Sequence, residues 1–225
     1  MAARTTERSA RRPGALGRMQ RGLETLYRVE TGVAIDDFVI GHELRDHVAP
    51  TRRPREQLLV CQDGGEMSLA LFIDPGALAN LAANDPGARL DDGNLGDFLL
   101  AIEGVSHFIY AVCCARAERP VSQLELELQA EVDKYVACVL TTEPERATSS
   151  AFRRRLFGDV EYEPDLDAEE QHRYRAANDN AQRYAAWLEH TFLASHARVP
   201  EMLGELRRFY RLGLAGKLAT IAAAA

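Results

Sequence analysis

At 225 residues the chain lies near the upper limit for a single hydrophobic core and is long enough to fold alone. Apolar residues make up 46% and aromatics 7%, which excludes wholesale disorder and a collagen-like state. The net charge of −7 is unevenly laid out. Residues 1–22 carry Arg4, Arg8, Arg11, Arg12, Arg18 and Arg21 against Glu7, so the remainder is strongly acidic, and this argues against a nucleic-acid-binding body.

The basic side chains are nearly all arginine, with Lys134 and Lys217 the only lysines, a bias read first as composition. Cys61, Cys113, Cys114 and Cys138 form no C-x-x-C pair, so free thiols in a reducing compartment are expected and no disulfide framework. No run of 18 apolar residues and no secretory signal is present, which predicts a soluble cytoplasmic protein with no membrane partner.

In chain order, residues 1–20 predict a flexible basic arm, and the folded body is expected to begin near Leu23. Leu23 to Val29 predicts a short helix, Val33 to Ile40 a strand, and His42 to Arg55 a polar loop. Gln57–Cys61 and Met67–Ile73, joined through Asp63-Gly64-Gly65, predict a β-hairpin, because Gly tolerates the positive φ of a tight turn. Pro75 to Ala83 opens a short helix. Leu95 to about Arg116 predicts a buried helix, followed after Pro120 by a second one over Val121–Leu140 that a Ser122/Glu125 capping box opens. The short connection makes an antiparallel α-hairpin.

Thr141 to Ser150 is the best linker candidate, and Ala151 to Asp167 is expected to be an irregular crossover. Asp167 and Glu170 form a second capping box, opening a long amphipathic helix to about Ser195. Pro200 begins a last helix, which Leu214 to Ala225 prolongs. The expected fold is therefore α+β: a small antiparallel sheet packed on a buried α-hairpin, followed by a helical C-terminal region. The expected divisions are residues 1–20, 21–142 and 143–225.

The sharpest chemical signal is a narrow polar stripe on the apolar Leu95–Arg116 helix: Glu103, Ser106, His107, Tyr110 and Cys114. Buried polar groups need partners, so the stripe is either a structural hydrogen-bond network or a site. Glu103 and His107, at i, i+4, can bridge each other, and with Tyr110 they are the candidates if the chain is an enzyme. Glu125, Glu127, Glu131 and Asp133 on the next helix are expected nearby. The Glu-x-x-His spacing of di-iron bundles is missing, and Gly104 implies another element's backbone packed close, both of which favour structure over a site.

His42-Glu43 and His47 form H-E-x-x-x-H, whose i, i+5 spacing separates the two imidazoles. No nucleophile elbow, phosphate loop or dinucleotide fingerprint is present, and no metal or cofactor is expected. Trp187, beside the long helix's apolar seam, and Arg207, Arg208 and Arg211 are the candidate partner-binding residues.

These features predict a non-enzymatic interaction protein, an adaptor or subunit of a bacterial multi-protein system, with a protein partner. A small metal-dependent or acid/base enzyme using Glu103 and His107 is the first alternative, and weak nucleic-acid binding by the Arg-rich arm the second. The arm is expected to be dispensable for folding, so truncation before Met19 should leave the cooperative melt intact.

Overall fold

A computed structural model describes residues 14–49, 53–64, 66–158, 166–194 and 198–224. It is an α+β fold in which a three-stranded sheet and α-helices share one continuous hydrophobic core. That core runs from Leu16 to Ile221, so the two expected parts at 21–142 and 143–225 are packed as one body among the described residues.

Helix α1 spans Ala15–Tyr27. Its first turn lies inside the stretch expected to be arm: Leu16 is 3% exposed, and Gln20 is buried, binding Thr31 and the backbone of Val33 and Ile35. Residues 1–13 of the expected arm lie outside the described residues. Buried Leu16 and the Gln20 amide hold this part of α1 against the core despite its weak apolar periodicity.

After a 3-10 turn at Ile35–Asp37 comes strand β1, only Val39–Ile40, in place of the longer strand expected from Val33. The expected loop after it holds helix α2, His42–Val48. Arg45 supplies the reason: its side chain is buried, bonded to Asp46 and the Pro54 carbonyl, and stacked on Phe72.

Strands β2 (Glu56–Asp63) and β3 (Glu66–Ile73) form the predicted hairpin, with Gly64 at φ +55° in its turn. The sheet order is β1-β3-β2, and β1 pairs with β3 in parallel, so the sheet is mixed and not purely antiparallel. The chain between β1 and β3 contains α2, β2 and the hairpin turn, long enough to let β1 and β3 pair in the parallel sense. Helix α3 (Pro75–Ala83) follows, capped by the Asp74 carboxylate on the Ala77 amide.

Helices α4 (Leu95–Arg116) and α5 (Gln123–Thr141) make the α-hairpin. Among the described residues, α4 is the one helix long and apolar enough to cross a membrane, but 72% of its most apolar window is buried in this fold. Ser122 caps α5 on the Glu125 amide, as expected, whereas the Glu125 side chain turns away from the cap into the interior.

The expected linker is interrupted by α6 (Arg146–Phe157), held through buried Ser149 and Phe157. The acidic part of the expected crossover, residues 159–165, lies outside the described residues. The Asp167/Glu170 capping box forms reciprocally and opens α7, Ala168–Phe192, which lies along α5. Helix α8 (Val199–Tyr210) then ends, and α9 (Leu214–Ala223) is a separate helix, because Leu212 and Gly213 break the expected continuation.

A chain starting at Met19 loses Leu16 and the first turn of α1. Urea denaturation should show a cooperative but weaker fold, by about 2 kcal/mol, the transfer value of one buried leucine. An unchanged midpoint would mean that this turn adds nothing to the core.

Candidate functional site

The stripe on α4 is buried along most of its length, and it divides into two polar networks, both completed by α5. Antiparallel pairing of α4 and α5 sets the register: the carboxylates of Glu125, Glu127, Glu131 and Asp133 each meet a different polar partner.

The first network faces the sheet. Glu103 does not bridge His107; its carboxylate accepts from Lys134 at 3.0 Å, and the same ammonium donates to Glu131 at 2.7 Å. His107 sits between two other carboxylates, Nδ1 at 3.6 Å from Glu56 of β2 and Nε2 at 3.5 Å from Glu127. These are ion-pair distances: among the described residues, His107 Nε2 and Glu56 Oε1 are buried without a hydrogen-bond partner. Gly104 explains how Glu56 reaches in, since a Cβ there would lie 3.1 Å from the Glu56 side chain and from Ile73 Cδ1. The close element at Gly104 is therefore the sheet, and it approaches with the side chains of Glu56 and Ile73, not with the backbone expected from the glycine.

Electrostatics follows from this geometry. Burial opposes charge on His107, but Glu127 and Glu56 outweigh it and hold the imidazolium well above the usual histidine range. Burial raises the carboxyl groups of Glu56 and Glu131, with His107 and Lys134 respectively opposing. For Glu103 burial loses instead: Lys134 and then His107 hold its carboxyl below the usual range. Burial likewise works against Lys134, and its two glutamates overcome it to keep the ammonium charged.

The second network lies where α4 and α5 meet α1, α8 and α9. Asp133, buried, accepts from Ser106 at 2.5 Å, from Gln129 at 2.8 Å and from the Tyr27 hydroxyl. Tyr110 donates to Glu125 at 2.7 Å, and Arg119 donates to Glu125, to the Tyr110 hydroxyl and to Cys114 Sγ. Burial, with Glu125 adding to it, pushes the Tyr110 hydroxyl up, and burial pushes the Cys114 thiol to about 11. Neither group is an activated nucleophile or base.

The same network contains Lys217 of α9, 0% exposed, which the sequence reading did not single out. Its ammonium donates to Gln129 Oε1 and lies over the rings of Tyr110, Phe209 and Tyr210 at 4.4, 5.0 and 5.9 Å. A lone lysine on the buried side of an otherwise small and apolar helix, Leu214-Ala-Gly-Lys-Leu-Ala-Thr-Ile, was the available signal. Glu56 was missed because its partner His107 is remote in sequence, and Lys134 because only Glu131, and not Glu103, is its neighbour on the same helix.

The partner-binding candidates separate. Arg207 donates to the Leu26 carbonyl at 2.7 Å and Arg211 to that of Tyr27 at 3.3 Å, so both satisfy carbonyls at the C-terminus of α1. Arg208 is bound through two nitrogens to Glu205. Trp187 is half-buried, stacked on Tyr184 and edge-on to Phe192. Together with Glu205, Arg208, Ala219, Thr220, Ala223 and Ala224 it lines an open groove of about 440 Å³. A second cavity of about 480 Å³ lies between α1, α4 and α5, lined mainly by apolar residues such as Met19, Leu26, Phe98 and Leu140. Neither touches the stripe.

Among the described residues, no group of three His, Cys, Asp or Glu is arranged to hold a metal ion. Lys134 already occupies the position between Glu103 and Glu131 where a cation is called for. His42 and His47 do not come together as ligands: the His42 ring packs on Phe72 and its Nδ1 meets Arg45. No family model, no curated protein sequence and no solved structure matches this chain.

Lys134→Met should strand two carboxylates. A sealed pair costs about 3–5 kcal/mol when broken; with Glu103 25% exposed, about 2–3 kcal/mol is expected at pH 7. Glu103→Ala, which leaves Glu131 to Lys134, should cost about 1–2 kcal/mol. Because the Glu103 carboxyl is held down in the fold, its contribution exists above the ordinary glutamate range and is lost as pH falls through the folded value. Denaturation midpoints at pH 7 and pH 3 check this: the wild-type advantage over Glu103→Ala must shrink at the lower pH.

Proposed function

We propose that this chain is a non-enzymatic interaction protein, an adaptor or subunit whose partner is another protein chain, and that the partner seats in the Trp187 groove. One observation carries the reading. The only tryptophan of the chain lies half-buried at an open groove of small side chains on α9, flanked by the Glu205–Arg208 ion pair. A rigid aromatic beside open, small-residue space accepts an inserted apolar side chain, and the ion pair supplies a polar rim.

The buried networks support the same reading from the other side. Glu103, His107 and Tyr110 are consumed by internal partners, and the Tyr110 proton is held far too tightly for acid–base work near neutrality. An acid/base alternative draws on one feature, the opposite displacement of Glu131 and Glu103 around Lys134. It requires a substrate at Glu103, the most exposed member of that group. Binding by the basic arm falls on residues that are for the most part outside the described ones.

Ala223→Arg tests the proposal, because Ala223 is an exposed wall of the groove and its replacement fills the space without touching the core. Sedimentation for self-association and pull-down with co-expressed genomic neighbours should show association weakened by about tenfold or more, one well-filled contact being worth at least 1.4 kcal/mol, with the melt unchanged. Association unaffected by Ala223→Arg sinks the groove as the contact. Stoichiometric Zn, Fe or Mn that disappears in His107→Ala would favour the enzyme alternative.

A further inference from the structure

We infer that the cavity between α1, α4 and α5 is a binding site for a small uncharged molecule built on one extended apolar chain, which lies along α1. The shape of the cavity comes from that helix. Ala15, Arg18, Met19, Gly22, Leu23 and Leu26 line it, and their spacing of three and four residues makes one continuous stripe down almost the whole of α1. From Ala15 to Leu26 the stripe is about 16 Å long, at about 1.5 Å per residue. Phe98 and Ile102 of α4 and Ala137 and Leu140 of α5 face it, and the side chains leave about 480 Å³ between them. Leu23, Leu26, Phe98 and Ile102 border this space yet are no more than 8% exposed, so its floor lies well below the surface.

Gly22 is a second, independent observation. Glycine in mid-helix costs stability relative to alanine, and at Gly104 the reason is plain, since Glu56 and Ile73 press against the helix there. At Gly22 a Cβ would meet no atom within 4 Å among the described residues, so no neighbouring element calls for the missing side chain. What a larger residue would take up is the cavity itself. Protein interiors fill nearly all such space with their own side chains. An occupant of matching shape gives these apolar walls the van der Waals contacts that the chain does not supply on their cavity side.

The walls also set the chemistry of the occupant. The two charged residues that border the cavity, Arg18 and Asp85, have side chains about half exposed and pair with each other at 3.4 Å. A charge carried inside would lose its water and find the opposite charges already matched, so the buried part of the ligand is neutral. Walls of leucine, isoleucine and phenylalanine hold water poorly and accept apolar molecules, and the unbranched Met19 side chain adapts to a chain laid against it. Thr141, exposed at the same border, offers a hydroxyl to a neutral polar end such as an alcohol. The site shares no lining residue with the Trp187 groove and does not depend on the interaction reading above.

The full-length chain, labelled with ¹³C at its methionine, leucine and isoleucine methyl groups, is titrated with 1-decanol and followed by NMR. The methyl resonances of Met19, Leu23, Leu26 and Ile102 are expected to shift together and to saturate with a dissociation constant of about 100 μM or tighter. 1-Adamantanol, a compact cage with as many heavy atoms, should bind more weakly because it fills only part of the length, and the decanoate and decylammonium ions more weakly because they carry charge. G22F places a ring in the cavity and should weaken decanol binding by about tenfold or more with an unchanged or higher melting temperature. G22A brings the same gain in helix propensity without filling the space, and should keep the binding. No shift of these methyl groups at the solubility limit of decanol, binding undiminished in G22F, or a cage or ion that binds as tightly as decanol would each overturn the site. Methyl shifts that follow protein concentration and not decanol would assign the cavity to a second copy of the chain and overturn it as well.

Discussion

The rest of this structure depends on polar groups buried along the α4–α5 interface and answered there by charges of opposite sign. A long apolar helix gains most by sitting in the middle of the fold, and its stripe of Glu103, Ser106, His107 and Tyr110 goes in with it. Every carboxylate that α5 turns toward α4 then has a specific partner. The interface accordingly fixes helix register as well as stability, because sliding α5 by one turn would place Glu127 and Glu131 against the wrong groups. This gives a structural reason for so much buried charge in one layer.

Lysine has a particular place in that layer. The chain uses arginine almost throughout, and both of its lysines sit inside, one between two glutamates and one among aromatic rings. An ammonium is a compact point charge that fits between two carboxylates, and unlike guanidinium it can lose its proton when water is removed. Lys134 exploits the first property, and Lys217 is held by the Gln129 amide oxygen and the faces of aromatic rings. Among the arginines that reach inward, Arg45 is buried against Phe72, Arg207 and Arg211 finish α1, and Arg119 clasps Glu125 and Tyr110. Residues that look like a basic patch in one dimension therefore serve as helix caps and network members in three.

Local signals were legible where they rest on neighbours in the chain. The Asp-Gly-Gly hairpin, the Pro75 start of α3, the apolar α4, the Ser122 cap and the full Asp167/Glu170 box are each written within a few residues. The burial of the stripe was legible too, since apolar side chains surround it on the helix. Helix α2 was not, because its reason to form is the burial of Arg45 against Phe72, 27 residues on. The start of α1 and the presence of α6 failed for the same reason: Leu16 and Ser149 are anchors only when their partners are present.

The sequence by itself determined the elements whose stability comes from caps, turns and periodicity, and with them the α+β class and the existence of a buried polar stripe. The tertiary structure alone decided the pairings: Glu103 with Lys134 and not with His107, His107 between Glu56 and Glu127, and Lys217 beneath three aromatic rings. The physical reason is that a helix face shows which polar groups must be satisfied but not by what. Their partners here come from residues up to 107 positions away, brought into contact by the packing of elements that a local pattern cannot order.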